Sequence, residues 1–123
     1  MQKRFALELT REVLKFILPE LLVTHFDLLK HELQDSKLHL YFEESPKTPE
    51  EFSKELIISH GFHKQITIQD FPLRGKTVLL HIKRRRWLNK ATHKVVQRDW
   101  SLVAKGTRMT VEFASFLKAI SQY

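Results

Sequence analysis

Seven positively charged side chains gather around one predicted turn in the second half of the chain. The run Lys83–Arg86 leads into Trp87, and Lys90, Lys94 and Arg98 follow it. Such clusters bind phosphate groups, and each phosphate that they neutralise makes the affinity more sensitive to salt. Arginine also binds guanine edges in the major groove, and tryptophan stacks on bases that are splayed out. The cluster therefore indicates contact with a nucleic acid.

Structural roles for the same residues stay open. Tryptophans such as Trp87 and Trp100 lie more often in a core or at its rim than in a position to stack on bases. Arginine stems can cover apolar surface, and a basic run can be a solvated face.

The charge of the chain is unevenly distributed along its length. Residues 1–55 hold eight Lys or Arg against eleven Asp or Glu, a net charge of −3. Residues 56–123 hold thirteen Lys or Arg against Asp70, Asp99 and Glu112, a net charge of +10. This asymmetry is typical of a polyanion-binding half joined to a half with another role.

Several classes of chemistry lack the residues that they need. The chain has no cysteine, which excludes disulfides, thiolate zinc sites and cysteine nucleophiles. It has no P-loop and no glycine-rich dinucleotide turn. Asp70 and Asp99 are the only aspartates that the basic half offers to a carboxylate-based nuclease. We therefore predict that the protein is not an enzyme.

Three histidines raise the question of a metal. His60 and His63 have the spacing of a metal knuckle, and His93 follows in a predicted turn. A structural zinc site needs four ligands, and only carboxylates such as Asp70 are available to complete it. We predict neither a bound metal nor another cofactor.

Length and composition limit the class of protein. The chain has 123 residues, of which 42% are hydrophobic, so we expect one folded unit rather than a disordered chain. No apolar run approaches the roughly 20 residues that cross a bilayer, and no apolar signal core follows Met1. We expect a cytoplasmic protein.

The first half predicts a helix followed by strands. Apolar residues recur at helical spacing over 4–18, from Phe5 to Leu18, which predicts a largely buried helix that Pro19 ends or restarts. Period-two alternation predicts a β-hairpin over 26–43 with its turn at 34–37, although its first arm could also continue a helix. Thr48 to Glu51 form a capping box, which predicts a short helix over about 49–54.

The second half predicts strands until its last dozen residues. A strand from Ile66 ends in the break 70–75, and a long strand then runs from Val78 to Trp87. Its inner face continues into Arg84 and Arg86, so the end of the ribbon is basic on both faces and needs an external anion. A third arm, 94–100, returns after the turn at 89–93. Finally, Thr110 caps a helix whose apolar stripe is Phe113, Phe116, Leu117 and Ile120.

These elements predict an α+β fold. It consists of an N-terminal helix and β-hairpin, a short helix, an antiparallel zinc-ribbon-like β unit without zinc, and a C-terminal helix. We expect an acidic part over 1–55, a basic β unit over 56–104, and a basic loop and helix over 105–123 that resemble the start of a helix-turn-helix.

The second half resembles the N-terminal region of bacterial insertion-sequence transposases of the ISAon type. Two segments carry the resemblance, ITIQDFPLRGKTVLLHIKRRRW at 66–87 and AKGTRMT at 104–110. They are distantly similar to a larger transposase family with a Cys-rich zinc knuckle. In that family a similar turn, glycine and strand lead into an Arg-Arg-aromatic motif, and a knuckle, a helix-turn-helix and an acidic-triad nuclease follow.

This chain departs from the zinc-bearing relatives in two ways. Leu88 and His93 stand where those relatives carry a pair of cysteines, so we expect packing around Trp87, Leu88 and Trp100 to replace the metal. The sequence also stops at Tyr123, soon after the predicted helix. The resemblance implies a DNA-binding module whose catalytic partner is separately encoded or lost.

The predicted function is non-catalytic binding of double-stranded DNA at the terminal inverted repeats of the element. The predicted contact residues are Arg84, Arg85, Arg86, Trp87, Lys90, Lys94, Arg98, Lys105 and Arg108. Two alternatives stay open. One is a protein-interaction module that docks a catalytic chain through an exposed apolar patch on helix 110–121, and the other is an inactive relic.

Overall fold

A computed structural model describes residues 12–104 and 111–121, with side chains from 114 onwards in the second range. It confirms the α+β class. The elements in chain order are α1 (12–17), α2 (Glu20–His25), β1 (Phe26–Gln34), β2 (Lys37–Glu44), β3 (Ile57–Phe62), β4 (Ile66–Leu73), β5 (Lys76–Lys83), β6 (Arg85–Asn89), β7 (Val95–Val96), α3 (Trp100–Val103) and α4 (Val111–Ser121). A single 3₁₀ turn lies at Glu50–Phe52.

The large sheet has four strands in the order β1-β2-β5-β4. β1 with β2 and β4 with β5 are antiparallel hairpins, whereas β2 and β5 run parallel in the centre. One face is apolar at every second position and is covered by helices. The buried residues of this face are Leu40, Phe42, Ile66, Ile68, Val78, Leu80 and Ile82. The period-two patterns of both hairpins thus supply one side of the core.

Both hairpins close on two-residue turns with left-handed backbone. Asp35 and Ser36 have φ of 52° and 61°, and Arg74 and Gly75 have φ of 53° and 77°. Positive φ at both turn positions matches the right-handed twist of the flanking strands. The predicted hairpin over 26–43 is therefore confirmed. The break predicted at 70–75 is wrong in extent, because β4 continues to Leu73 across an irregularity after Asp70.

The long strand predicted through Trp87 is instead two strands in two sheets. The chain leaves the large sheet after Lys83, and β6 pairs with β3 and β7 in a small antiparallel sheet of order β3-β6-β7. The break at Arg84 shifts the alternation by one residue, so Trp87 points inwards and is 2% exposed. The third arm predicted over 94–100 is reduced to β7.

The helices correct several sequence predictions. Pro19 does restart the helix, as α2, but Phe16 of α1 is 89% exposed, so the described part of the predicted 4–18 helix is not largely buried. The residues before 12 lie outside the described part. The capping box at Thr48 is wrong, because Pro49 caps the 3₁₀ turn without a side-chain hydrogen bond.

Trp100 is part of α3 rather than of a strand. The Asp99 carboxylate caps this helix by accepting from the backbone N–H groups of Ser101 and Leu102 at 3.0 and 3.2 Å. The Trp100 ring stacks on Phe26 with 5.2 Å between centroids. This contact packs the C-terminal part of the chain against the start of the large sheet.

Residues on either side of the predicted boundary at 55/56 share one sheet. β2 belongs to the acidic part and β5 to the basic part, yet they pair over seven registered positions from Lys37 to Glu43. The large sheet therefore joins the two halves into one structural unit.

Candidate nucleic-acid interface

The predicted contact residues do not form one free cluster. Arg84, Trp87 and Arg98 are buried, Arg85 and Arg86 are half-buried, and Lys90 and Lys94 are exposed. Lys105 and Arg108 lie outside the described residues. The premise that the ribbon end is basic on both faces and lacks internal partners is therefore wrong for several of its members.

Arg98 is neutralised inside the protein by Glu44. Its Nε donates to Glu44 Oε2 at 3.1 Å, and the two side chains are 5% and 1% exposed. Its Nη2 donates to the carbonyl of Lys47 at 2.8 Å. Because a buried arginine needs both a counter-charge and acceptors, these contacts give Arg98 a structural role.

Arg85 is also held by the residues around Glu44. Its backbone N–H donates to Glu44 Oε1 at 3.0 Å, and its Nε and Nη2 donate to the Glu44 carbonyl at 3.2 and 3.1 Å. Its Nη1 donates to Ser59 Oγ at 2.6 Å, and its guanidinium lies over the Phe62 ring. These bonds connect the end of β2 to β6 and β3 of the small sheet, so Arg85 links the two sheets.

The environment of Glu44 opposes its ionisation. Burial raises the pKa of Glu44 above its usual value, while the hydrogen bonds from Arg85 and Arg98 act in the opposite direction. A carboxylate in this position is stabilised in its charged form chiefly by Arg98 and by the Arg85 N–H.

Glu44 is not among the predicted contact residues, although the pattern contains a signal for it. Leu38, Leu40 and Phe42 alternate on the inner face of β2, and Glu44 is the next residue on that face. A carboxylate at the end of a buried stripe indicates a buried counter-charge, because an unpaired charge there is costly.

The turn after β6 presents two cations on a fixed backbone. Asn89 is buried, and its Oδ1 accepts from the N–H groups of Ala91 at 2.9 Å and Thr92 at 3.2 Å. Its backbone N–H donates to the Lys94 carbonyl at 2.9 Å, while the Lys90 N–H donates to Leu56 at 2.9 Å. The loop therefore holds Lys90 and Lys94 in a defined position at the surface.

The outer face of the small sheet joins this turn. Arg85, Trp87 and Asn89 face inwards, so the alternation places Arg86 and Leu88 on the outer side. Leu88 pairs with Ile58 and Val95, which are 42% and 44% exposed. Within 12–104 and 111–121, no salt bridge involves Arg86, Lys90 or Lys94. We call these three residues the open cations.

A histidine, His63, lies close to Arg86 in surroundings that disfavour its protonation. Burial lowers the pKa of His63, and the positive charges of Arg84 and Arg86 lower it further. A hydrogen bond with the Gln97 side chain acts in the opposite direction. His63 therefore adds little to the positive charge of this surface.

His60, His63 and His93 do not meet as a metal site in the described ranges. No group of three or more His, Asp or Glu residues that could hold a metal ion occurs there. Among the same residues, no helix is both long and apolar enough to cross a membrane.

Comparison of the chain with protein-family models, with curated proteins and with solved structures gives no match. Support for a function therefore comes from the residues and contacts of this chain.

Proposed function

We propose that this protein is a non-catalytic module that binds double-stranded DNA for an insertion-sequence transposase of the ISAon type. The observation that carries the proposal is the fixed turn after β6. It holds Lys90 and Lys94 at the surface, and no acidic side chain of the described residues forms a salt bridge with them or with Arg86 of β6. Exposed cations that form no salt bridge with the described acidic residues favour a polyanion as ligand.

The balance of charge supports the same conclusion. The half from 56 to 123 keeps an excess of positive charge even after Arg98 is assigned to Glu44. The antiparallel strands β6 and β7, which lie beside β3 in the small sheet, are joined by the turn that carries the two lysines. Lysine and arginine at such a turn can reach both phosphates and guanine edges of a duplex.

The proposed contact set is smaller than the predicted one. Arg86, Lys90 and Lys94 are its described members, and Lys105 and Arg108 remain predictions. Arg84, Trp87 and Arg98 are buried, and Arg85 is committed to Glu44 and Ser59, so we assign these four to the support of the surface. The stacking role predicted for Trp87 is not part of the proposal.

The helix stripe gives no support to the protein-docking alternative. Phe116 and Ile120 of α4 are 2% and 0% exposed and belong to the core, and Leu117 packs against it. The side chain of Phe113 lies outside the description. The exposed patch expected on this helix is therefore wrong for the described residues.

The test is the salt dependence of binding to duplexes that carry the ends of the element. A triple variant with alanine in place of Arg86, Lys90 and Lys94 should reduce the slope of log affinity against log salt by about 0.9 per lost phosphate contact. A matched control removes Lys15, Lys37 and Lys118, which are exposed cations outside the small sheet. The control has the same net charge and should keep a slope close to that of the wild type.

Three outcomes would contradict the proposal. One is an unchanged salt slope in the variant that lacks Arg86, Lys90 and Lys94. Another is an equal change of slope in this variant and in the control, which would indicate diffuse electrostatic attraction only. The third is tighter binding to duplex RNA than to duplex DNA of the same sequence.

The proposal also includes a cytoplasmic protein, terminal inverted repeats as the target, and a separately encoded catalytic chain.

A further inference from the structure

β1, at one of the two edges of the large sheet, is a long and exposed strand. β1 spans nine residues, and in the described chain it pairs with β2 alone. From Leu28 to Gln34 every residue is exposed, and Leu29 and Leu33 are 56% and 59% exposed. An edge of this kind carries unpaired backbone N–H and C=O groups and is a template for a further strand.

The charges of this strand are arranged symmetrically about His31. Lys30 precedes it and Glu32 follows it, and their side chains lie on one face with Nζ and Oε1 3.4 Å apart. If a second copy of β1 lies antiparallel with His31 opposite His31, Lys30 of each copy faces Glu32 of the other. Opposite charges in directly facing positions stabilise a strand pair, whereas like charges destabilise it.

The same register also satisfies the backbone and the apolar side chains. In this register, facing residues differ by an even number of positions. The backbone N–H and C=O groups at the free edge of one copy therefore meet the corresponding groups at the free edge of the other. Leu33 of each copy then lies beside Leu29 of the other, at the irregularity after Leu28. Shifting the register by two residues would place Lys30 against Lys30, or Glu32 against Glu32.

We propose that the protein forms a two-fold symmetric dimer through antiparallel pairing of β1 with β1, centred on His31. The occupant of the edge is a second copy of this chain, because the sequence of the strand is complementary to itself. The pairing is isologous and closes after two copies. It would join two four-stranded sheets into one continuous sheet and bring four exposed leucines into cross-strand pairs. The proposal does not depend on DNA binding.

The test uses charge reversal and the mixing of variants of the full chain. In Lys30→Glu both cross-strand pairs become carboxylate pairs, and in Glu32→Lys both become ammonium pairs. Each variant alone should raise the dissociation constant of the dimer about tenfold or more. An equimolar mixture of the two should form a heterodimer about as tight as the wild-type dimer, because every facing pair is again opposite in charge.

Sedimentation equilibrium over a range of protein concentrations measures these constants without DNA. If the mixture recovers the wild-type dissociation constant, the effect of each single variant arises at the interface. Loss of the Lys30–Glu32 contact within one strand would not be repaired by mixing. The unfolding midpoint of each variant, measured at dilution, shows whether it folds, and the double variant Lys30→Glu with Glu32→Lys should dimerise like the wild type.

Several results would overturn the proposal. A wild-type protein that stays monomeric at all concentrations would leave the edge to a strand of another protein. Open-ended oligomers would indicate that a second edge takes part. Single variants that dimerise as tightly as the wild type, or a mixture that gives no heterodimer, would place the contact elsewhere.

Discussion

Replacing Arg98 by methionine should expose the cost of the buried charge on Glu44. Methionine keeps much of the volume of the arginine stem but removes the guanidinium that bonds to Glu44 at 3.1 Å. The Glu44 carboxylate would remain 1% exposed and retain only the Arg85 N–H as a hydrogen-bond donor among the contacts described above. The variant therefore leaves a buried carboxylate that has lost its ion-pair partner and keeps only the nearby charge of Arg85.

The size of the loss follows from the burial of the pair. Breaking a buried ion pair by removing one partner costs about 3–5 kcal/mol, a large fraction of the 5–15 kcal/mol that is typical of a domain. An exposed pair contributes at most about 1 kcal/mol. Lys15→Met, which breaks the exposed pair with Glu12 at 3.4 Å, is the matched control and should change stability little.

The assay is urea unfolding followed by tryptophan fluorescence, since both Trp87 and Trp100 are buried. Arg98→Met should lower the free energy of unfolding by about 3 kcal/mol or more at pH 7. The double variant Arg98→Met with Glu44→Gln should recover most of this loss, because glutamine removes the buried charge and keeps an acceptor for the Arg85 N–H.

The pH dependence provides a second measurement. Burial already raises the pKa of Glu44, and removing Arg98 raises it further. A carboxyl group with a raised pKa in the folded state binds its proton more tightly there, so its contribution to stability is present at low pH and is lost as pH rises. The defect of Arg98→Met should therefore shrink between pH 7 and about pH 5. A loss below about 1 kcal/mol at pH 7, or a defect independent of pH, would refute the reasoning.

Two further variants test the core and a second titrating group. Leu80→Ala should destabilise the protein by about 2–5 kcal/mol in urea unfolding, because Leu80 is fully buried on the core face of the large sheet. Leu79→Ala, at the half-buried neighbour on the outer face, should lower the free energy of unfolding far less. Equal losses in the two variants would contradict the assigned faces of β5. Burial lowers the pKa of His25 from 6.5, and the charges of Arg98 and Lys47 lower it further. The unfolded chain therefore binds the proton more readily, so stability falls as pH drops below about 6.5. The His25→Gln variant should lose less stability than the wild type between pH 7.5 and 5.5, and parallel profiles would count against this assignment.

Local patterns predicted those parts of the fold in which neighbours along the chain decide the outcome. The hairpin over 26–43 follows from period-two alternation around a polar turn. The inner face of β5 follows from Val78, Leu80 and Ile82, which are all fully buried. Alternation alone, however, does not show which strand lies beside which, so the parallel pairing of β2 with β5 was not predicted.

The candidate site was predicted less well, because its partners are far apart in sequence. Glu44 and Arg98 are 54 positions apart and lie in the halves of opposite net charge. Adding charges along each half hides such a pair. The break at Arg84 is equally hidden, because the alternation from Val78 to Arg86 looks continuous in the sequence. Only the transfer of the chain to a second sheet shows that Trp87 faces inwards.

The central parallel pair also has a consequence for the order of folding. Each hairpin closes locally through a two-residue turn, and hairpins form in about 1–10 μs. The contact between β2 and β5 requires residues 45–75 to be closed into a loop, and pairing between distant strands is slow. We expect the two hairpins to form early and the junction between them to form late. During synthesis β2 is made before β5, so the edge of β2 that pairs with β5 stays unpaired until the second hairpin has been made.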